Sequence, residues 1–150
     1  KHCRTFTCIK FRTMFLNPDA HRLQVQPGDT RITPVGRVLR RYYIDELPQL
    51  LNVLGGSMSL VGPRPHMLRH TVEFARLIGN YGERHRVRPG LTGLAQVRGY
   101  HGMVSTQEDL FLRTGSDLEY IARWSLFTDL KIIALTFFRI CQRISGRRSR

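Results

Sequence analysis

Asp45 and Glu46 are adjacent carboxylates in a chain with 24 Lys and Arg against only 11 acids. Arg37, Arg40 and Arg41 lie just upstream, and Gly62-Pro63-Arg64-Pro65 follows just downstream. Arginines so near an acidic pair suggest a shared polar cleft, in which the acids could be catalytic. The plainer role is also open: an Asp followed by Glu commonly starts a helix, because carboxylates satisfy free N–H groups and complement the helix dipole. The prolines flanking Arg64 restrict the local backbone and would present it to an anion at little entropic cost; a turn with a solvated arginine is the alternative.

The elements that must position these groups follow from the pattern. Leu47, Leu50, Leu51 and Leu54 recur at helical spacing, which predicts one buried leucine stripe behind the acidic pair. Pro48 suits a first helical turn and Gly55-Gly56 supplies the stop. Residues 31–43 read as a basic helix, with Thr33 as N-cap and Pro34 in the first helical position. Phe6, Cys8, Ile9 and Phe11 alternate with polar residues, as a strand would. Asn17-Pro18-Asp19 suggests a short helix or turn, and Gln26-Pro27-Gly28-Asp29 a loop.

Downstream, residues 57–61 form a short apolar piece, and residues 66–79 an amphipathic helix with Leu68, Val72, Ala75 and Leu77 or Ile78 inward. Residues 91–97 suggest an irregular strand. Ser105 and Glu108 form a capping-box pattern, opening a helix expected to break near Gly115 and restart at Ser116. The last segment, 126–144, carries Leu126, Leu130, Ile133, Phe137, Ile140, Cys141 and Ile144 on one face, and Arg147-Arg148-Ser149-Arg150 follows it. Such a basic amphipathic helix either packs on the core or lies in a membrane interface.

The 150 residues suit one domain, 1–150, of α+β class: helix-rich, with a short irregular sheet and a C-terminal amphipathic helix. A formal charge of +13 directs the surface towards polyanions, namely nucleic acid, anionic lipid or a phosphorylated substrate. Cys3, Cys8 and Cys141 match no metal-ligand pattern and read as reduced thiols. His66 and His70 share a helical face, a spacing that suits a metal or simple packing. No P-loop, dinucleotide fingerprint, zinc finger or RNA-binding aromatic motif occurs. The longest wholly apolar candidate segment falls far short of the roughly 20 residues that cross a bilayer.

Taken together, Lys10-Phe11-Arg12-Thr13-Met14, Val35-Gly36-Arg37-Val38-Leu39-Arg40-Arg41, Asp45-Glu46-Leu47-Pro48-Gln49, Ser59-Leu60-Val61-Gly62-Pro63-Arg64-Pro65, Arg84-His85-Arg86-Val87-Arg88-Pro89-Gly90-Leu91-Thr92-Gly93 and Asp129-Leu130-Lys131-Ile132 form an ordered series. It resembles the bacterial sugar transferase family, the monotopic polyprenyl-phosphate sugar-1-phosphate transferases. The branch it most resembles loads a hexose phosphate onto undecaprenyl phosphate to begin exopolysaccharide synthesis. The resemblance implies that Asp45 is the nucleophile, forming a covalent phosphosugar intermediate that the polyprenyl phosphate then discharges. It implies Glu46 as the partner carboxylate and Mg²⁺ ligand, and Arg64, held by Pro63 and Pro65, with Arg40, Arg88 and Arg12, as substrate-binding cations.

The partners so implied are a nucleotide-sugar donor, undecaprenyl phosphate and an anionic membrane surface, with room for a homo-oligomer and no nucleic acid. The expected location is the cytoplasmic face of the bacterial inner membrane. The family's membrane-embedded hairpin precedes the Lys10 motif, so the chain reads as the cytosolic part of a longer enzyme. Leu94 stands where an aromatic is usual and Arg98 where an Asn is usual, so sugar choice does not carry over. The competing reading is a non-enzymatic basic module that binds nucleic acid or a membrane surface.

Overall fold

A computed structural model describes residues 5–16, 25, 26, 28–100, 102, 104 and 106–145. The first helix, α1 (Pro34–Arg41), begins as its sequence dictates: Thr33 accepts from the Gly36 N–H at 2.8 Å, and Pro34 occupies the first turn. A 3₁₀ turn (Ile44–Glu46) and α2 (Gln49–Leu54) follow. Strand β1 (Ser59–Val61) leads to α3 (Leu68–Leu77), a second 3₁₀ segment (Tyr81–Arg86) and strand β2 (Gly90–Thr92). The chain ends with α4 (Leu94–Val97), α5 (Gln107–Ala122) and α6 (Leu126–Ile144).

Among the described residues two parallel strands make the sheet, with Ser59 opposite Gly90 and Val61 opposite Thr92. Such short strands carry little stability alone, and Val61 of β1 ties them to the helices that follow. Val61, Val97, Tyr120 and Ile132 form one apolar cluster against α4, α5 and α6. A second, of Phe74, Ile78, Tyr81 and Leu110, joins α3 to α5. The architecture is therefore the helix-rich α+β domain with a short sheet that the sequence implies.

Several local expectations are corrected. The alternating residues 6–11 form no strand; they run extended as a strap tied by isolated bonds. Asn52 Nδ2 donates to the Thr7 carbonyl at 2.8 Å, the Ile9 N–H donates to Asn52 Oδ1 at 2.9 Å, and the Phe11 N–H donates to the Asp45 carbonyl at 3.0 Å. Alternation describes an extended chain, but a strand also needs a ladder partner. Asn17-Pro18-Asp19 and Cys3 lie outside the described residues.

The capping box is one residue later than expected, on Thr106 and Asp109. Helix α5 runs unbroken through Gly115, because Arg113, Thr114, Ser116 and Asp117 around it are all buried. Residues 91–97 divide between β2 and α4 instead of forming one strand. On α3 the inward residues are Phe74 and, just beyond the helix, Ile78; Leu68 and Val72 face out.

The largest correction concerns the leucines. Leu47, Leu50, Leu51 and Leu54 are exposed, and the buried face of α2 is polar: Gln49 and Asn52. Asn52 is inside because it ties the strap and also donates to Ser57 Oγ at 3.1 Å, closing the turn before β1. Helix α6 meets the core through few residues. It buries Ile132 and half-buries Thr136, whose hydroxyl meets that of Thr92 at 2.7 Å. Its predicted stripe, including Leu126, Leu130 and Phe137, points outward.

Gly36 is where the strap crosses α1. A Cβ there would lie 2.0 Å from the Thr13 carbonyl oxygen. Gly to Ala inside a helix ordinarily stabilises, by about 1 kcal/mol. Here Gly36→Ala is expected to destabilise by about 1–3 kcal/mol through overpacking against backbone, read from the midpoint of urea unfolding. A stabilised variant would show that the strap does not pack there.

Candidate active site

The acidic pair sits in a single 3₁₀ turn and not at the start of a leucine-backed helix. Tyr43 precedes the turn in the left-handed region, φ 58°, ψ 18°. A non-glycine residue adopts that conformation at a cost, so the surroundings must hold it. The reversal stops α1 and swings Asp45 and Glu46 under the strap, where they are 8% and 9% exposed.

Glu46 is clamped. Arg64 grips it with both terminal nitrogens, Nη1 to Oε2 at 2.9 Å and Nη2 to Oε1, and Lys10 Nζ donates to Oε1 at 3.0 Å. Burial alone would raise its pKa; the hydrogen bonds and charge of Arg64, with Lys10, outweigh burial and bring it down to about 2. A depressed carboxylate stabilises the fold above its unfolded pKa, and that gain disappears as pH falls through the folded value. Stability is therefore expected to fall between pH 4.5 and about 2, by on the order of 3 kcal/mol from Glu46. Glu46→Gln should lack that segment of the pH–stability curve; an unchanged curve would assign the loss elsewhere.

Asp45 is held differently. Among the described residues no side chain hydrogen-bonds to it. Burial, then the neighbouring charge of Glu46, push its pKa up, against the opposing pull of Lys10 and Arg40. A dry carboxylate without a tight partner is a better nucleophile than a solvated or ion-paired one. So the two adjacent acids are held in opposite ways: Glu46 is paired with Arg64 and Lys10, while burial and its neighbour's charge act on Asp45.

Of the other sequence-predicted residues, Arg40 lies close enough to act on Asp45 electrostatically, with its Nε fixed on Thr13 Oγ1 at 2.7 Å. Pro63 is buried and its carbonyl accepts from the Gly90 N–H at 2.9 Å, while Pro65 is half-buried, so the loop that carries Arg64 is fastened to β2. Arg12 is exposed on the strap beside Thr13. Arg88 lines a cleft of about 300 Å³ with Ser59, Val61, Arg86, Val87, Tyr120 and Trp124, a lining that includes neither acid nor Arg64. Arg98 on α4's C-terminal side pairs with Glu119 at 2.6 Å.

Magnesium does not fit Glu46 as the site is arranged. Its oxygens already take three hydrogen bonds from two cations, which would repel a dication. Among the described residues no three His, Cys, Asp or Glu side chains converge to hold a metal.

The pattern of residue types does not single out a second layer behind Arg64. Arg84, 3% exposed, donates from Nη2 to the Arg64 carbonyl oxygen at 2.8 Å. The same guanidinium pairs with Asp117, 1% exposed, through Nε at 3.0 Å and Nη2 at 2.6 Å. Its Nη1 meets Tyr81 and His66 Nδ1. His66 is thus a packing residue: burial, then Arg84's charge, push its pKa well below normal. His70 lies 3.5 Å from Glu73.

The profile of the family described as bacterial sugar transferase matches residues 1–143. The chain belongs to the bacterial sugar transferase family. A Caulobacter vibrioides protein named UDP-glucose:undecaprenyl-phosphate glucose-1-phosphate transferase is 52% identical over 132 residues, 87% of this chain and 49% of that protein. A protein of the same name from Xanthomonas campestris is 49% identical over 140 residues, 91% of this chain and 29% of that protein. An Aeromonas hydrophila UDP-N-acetylgalactosamine-undecaprenyl-phosphate N-acetylgalactosaminephosphotransferase is 43% identical over 145 residues, 96% of this chain and 34% of that protein. The chain therefore spans half or less of these relatives' length.

Proposed function

We propose that this chain carries the catalytic site of a transferase that moves a hexose 1-phosphate from a nucleotide diphosphosugar to undecaprenyl phosphate. The observation that carries the reading is the contrast at the acidic pair: Glu46 is engaged by Arg64 and Lys10, while Asp45 is buried and, among the described residues, takes no side-chain hydrogen bond. Relatives named for UDP-glucose supply the donor class and the acceptor. Because an N-acetylgalactosamine relative is 43% identical, the hexose stays open within that class.

In the first step an Asp45 oxygen bonds to the sugar-bearing phosphorus. The bond from that phosphorus to the bridging oxygen breaks, and the nucleoside monophosphate leaves with the electron pair. Arg64 and Arg40 offset the charge of the phosphate oxygens and hold the phosphoryl group in line. In the second step an oxygen of undecaprenyl phosphate attacks the same phosphorus and Asp45 leaves as carboxylate. One site then serves a soluble donor and a lipid acceptor in turn. Incubating the full-length protein with UDP-glucose and no acceptor should give a phosphosugar adduct on Asp45 by peptide mass spectrometry; nucleotide release without an adduct would eliminate the covalent route.

With a lipid acceptor, this reading puts the chain at the cytoplasmic face of the inner membrane and makes its product the start of exopolysaccharide synthesis. No helix among the described residues is long and apolar enough to cross a bilayer. What supports surface contact is the outward leucine face of α2 together with Phe137 and Phe138 of α6, flanked by Lys131, Arg139 and Arg143. Replacing Phe137 and Phe138 by Ser should weaken sedimentation with anionic vesicles; undiminished sedimentation would remove α6 from the contact. The non-enzymatic basic module is not favoured, since the family match runs over nearly the whole chain.

A further inference from the structure

Next to the acidic pair is a cavity of about 470 Å³ whose walls are almost wholly apolar. Tyr42, Tyr43, Ile44 and Leu47 line one side, and Ile140 and Ile144 of α6 line the other. Ile44 is the residue immediately before Asp45, so the cavity opens against the turn that carries the nucleophile. Its size falls within the roughly 300–1,000 Å³ of small-molecule sites.

Cations stand over both of its aromatic walls. The Arg143 guanidinium lies 4.8 Å from the Tyr43 ring centre, and that of Arg41 lies 5.7 Å from Tyr42. An apolar interior edged by guanidinium groups is complementary to a molecule with an anionic head and a hydrocarbon tail. It is poorly suited to a nucleotide sugar, which carries hydroxyls along its length. The Arg86 and Arg88 cleft, with its mixed lining, has the opposite character.

We propose that this cavity holds the first isoprene units of the polyprenyl phosphate acceptor. The assignment rests on the transferase reading above. The chemistry of the second step requires it to be close: the attacking oxygen belongs to a phosphate esterified to the chain. When that oxygen reaches phosphorus on Asp45, the first isoprene unit lies within a few bonds of the turn. The cavity is the apolar surface that begins there. The left-handed Tyr43 then has a second consequence, since it turns Ile44 and Leu47 into the cavity wall while turning Glu46 towards Arg64.

The experiment separates the two half-reactions in the full-length protein embedded in lipid nanodiscs. Ile144→Trp fills the cavity from the α6 side without touching the acidic pair. Formation of the Asp45 adduct from UDP-glucose, with no acceptor present, is expected to change less than twofold. Discharge of the preformed adduct by undecaprenyl phosphate is expected to slow at least tenfold at limiting acceptor, with a raised KM for the acceptor. Discharge by methyl phosphate, which has no chain to seat, should be unaffected, and the wild type's preference for farnesyl phosphate over methyl phosphate should shrink.

Unchanged discharge by undecaprenyl phosphate would overturn the assignment. So would equal loss in both half-reactions with a lowered Tm, the result expected if another segment of the protein fills the cavity. Ile140→Trp, one turn away, gives the same readout should Ile144→Trp fail to fold. Failure of the wild type to form any adduct would instead sink the transferase reading, and is distinguishable from both.

Discussion

Asp45→Asn should abolish sugar-phosphate transfer while making the folded protein more stable at neutral pH. The loss of activity is expected to reach on the order of 10⁴-fold or more, as for other enzymes that lose a covalent nucleophile. An amide in the same place cannot form the acyl phosphate, and Glu46 cannot substitute because Arg64 and Lys10 hold it. The gain in stability follows from the raised pKa of Asp45, caused first by burial and then by Glu46. A group whose folded pKa lies above its unfolded value costs stability at any pH where it is ionised in both states. Asparagine removes that cost. Its Tm should therefore exceed the wild type's at pH 7, and the two should converge as pH falls below the ordinary Asp value of 3.8. Retained transfer would remove Asp45 as nucleophile; a lower Tm at pH 7 would show that its charge is compensated by contacts the fold does not display.

The contrast between Asp45 and Glu46 shows what the chain discloses and what it withholds. That an acidic pair and Arg64 belong together was legible, because the prolines around Arg64 mark a constrained cation and the motifs fall in a fixed order. The start of α1 was legible too, since Thr33 and Pro34 act within one turn. The span of α6 followed from its period. Period alone, however, says which residues share a face and not which face turns inward. The leucines of α2 are outside because Asn52 is needed inside, to bond Thr7 and Ile9 more than 40 residues away. Nothing near Asn52 in sequence announces that partner. The same holds for Arg84, whose carboxylate lies 33 residues on, and for the cavity beside Asp45, whose walls join residues 42–47 to Ile140 and Ile144 of α6. Gly115 misled for a related reason: in isolation it weakens a helix, but buried neighbours on α5 hold it in place.

Asp117 is the residue for which sequence gives least warning and the structure most consequence. Asp117→Asn should cost about 3–5 kcal/mol, because it leaves the Arg84 guanidinium buried without a counter-charge. Few single changes in this chain should cost more, and urea unfolding at neutral pH measures it directly. A loss below about 1 kcal/mol would show that the pair contributes little beyond its own desolvation. Stability by itself would not separate a packing role from a functional one. The double variant Arg84→Met with Asp117→Leu does so, since replacing both charges by apolar groups of similar volume commonly restores stability. It also deletes the donor to the Arg64 carbonyl at 2.8 Å. If Arg84 serves to hold the Pro63–Pro65 loop so that Arg64 meets Glu46, the double variant should regain its Tm yet transfer slowly, with Arg64 less well fixed in the site. If it regains both, the buried pair stabilises the fold alone, and the position of Arg64 is set entirely by its prolines and by the bond from Gly90 to the Pro63 carbonyl.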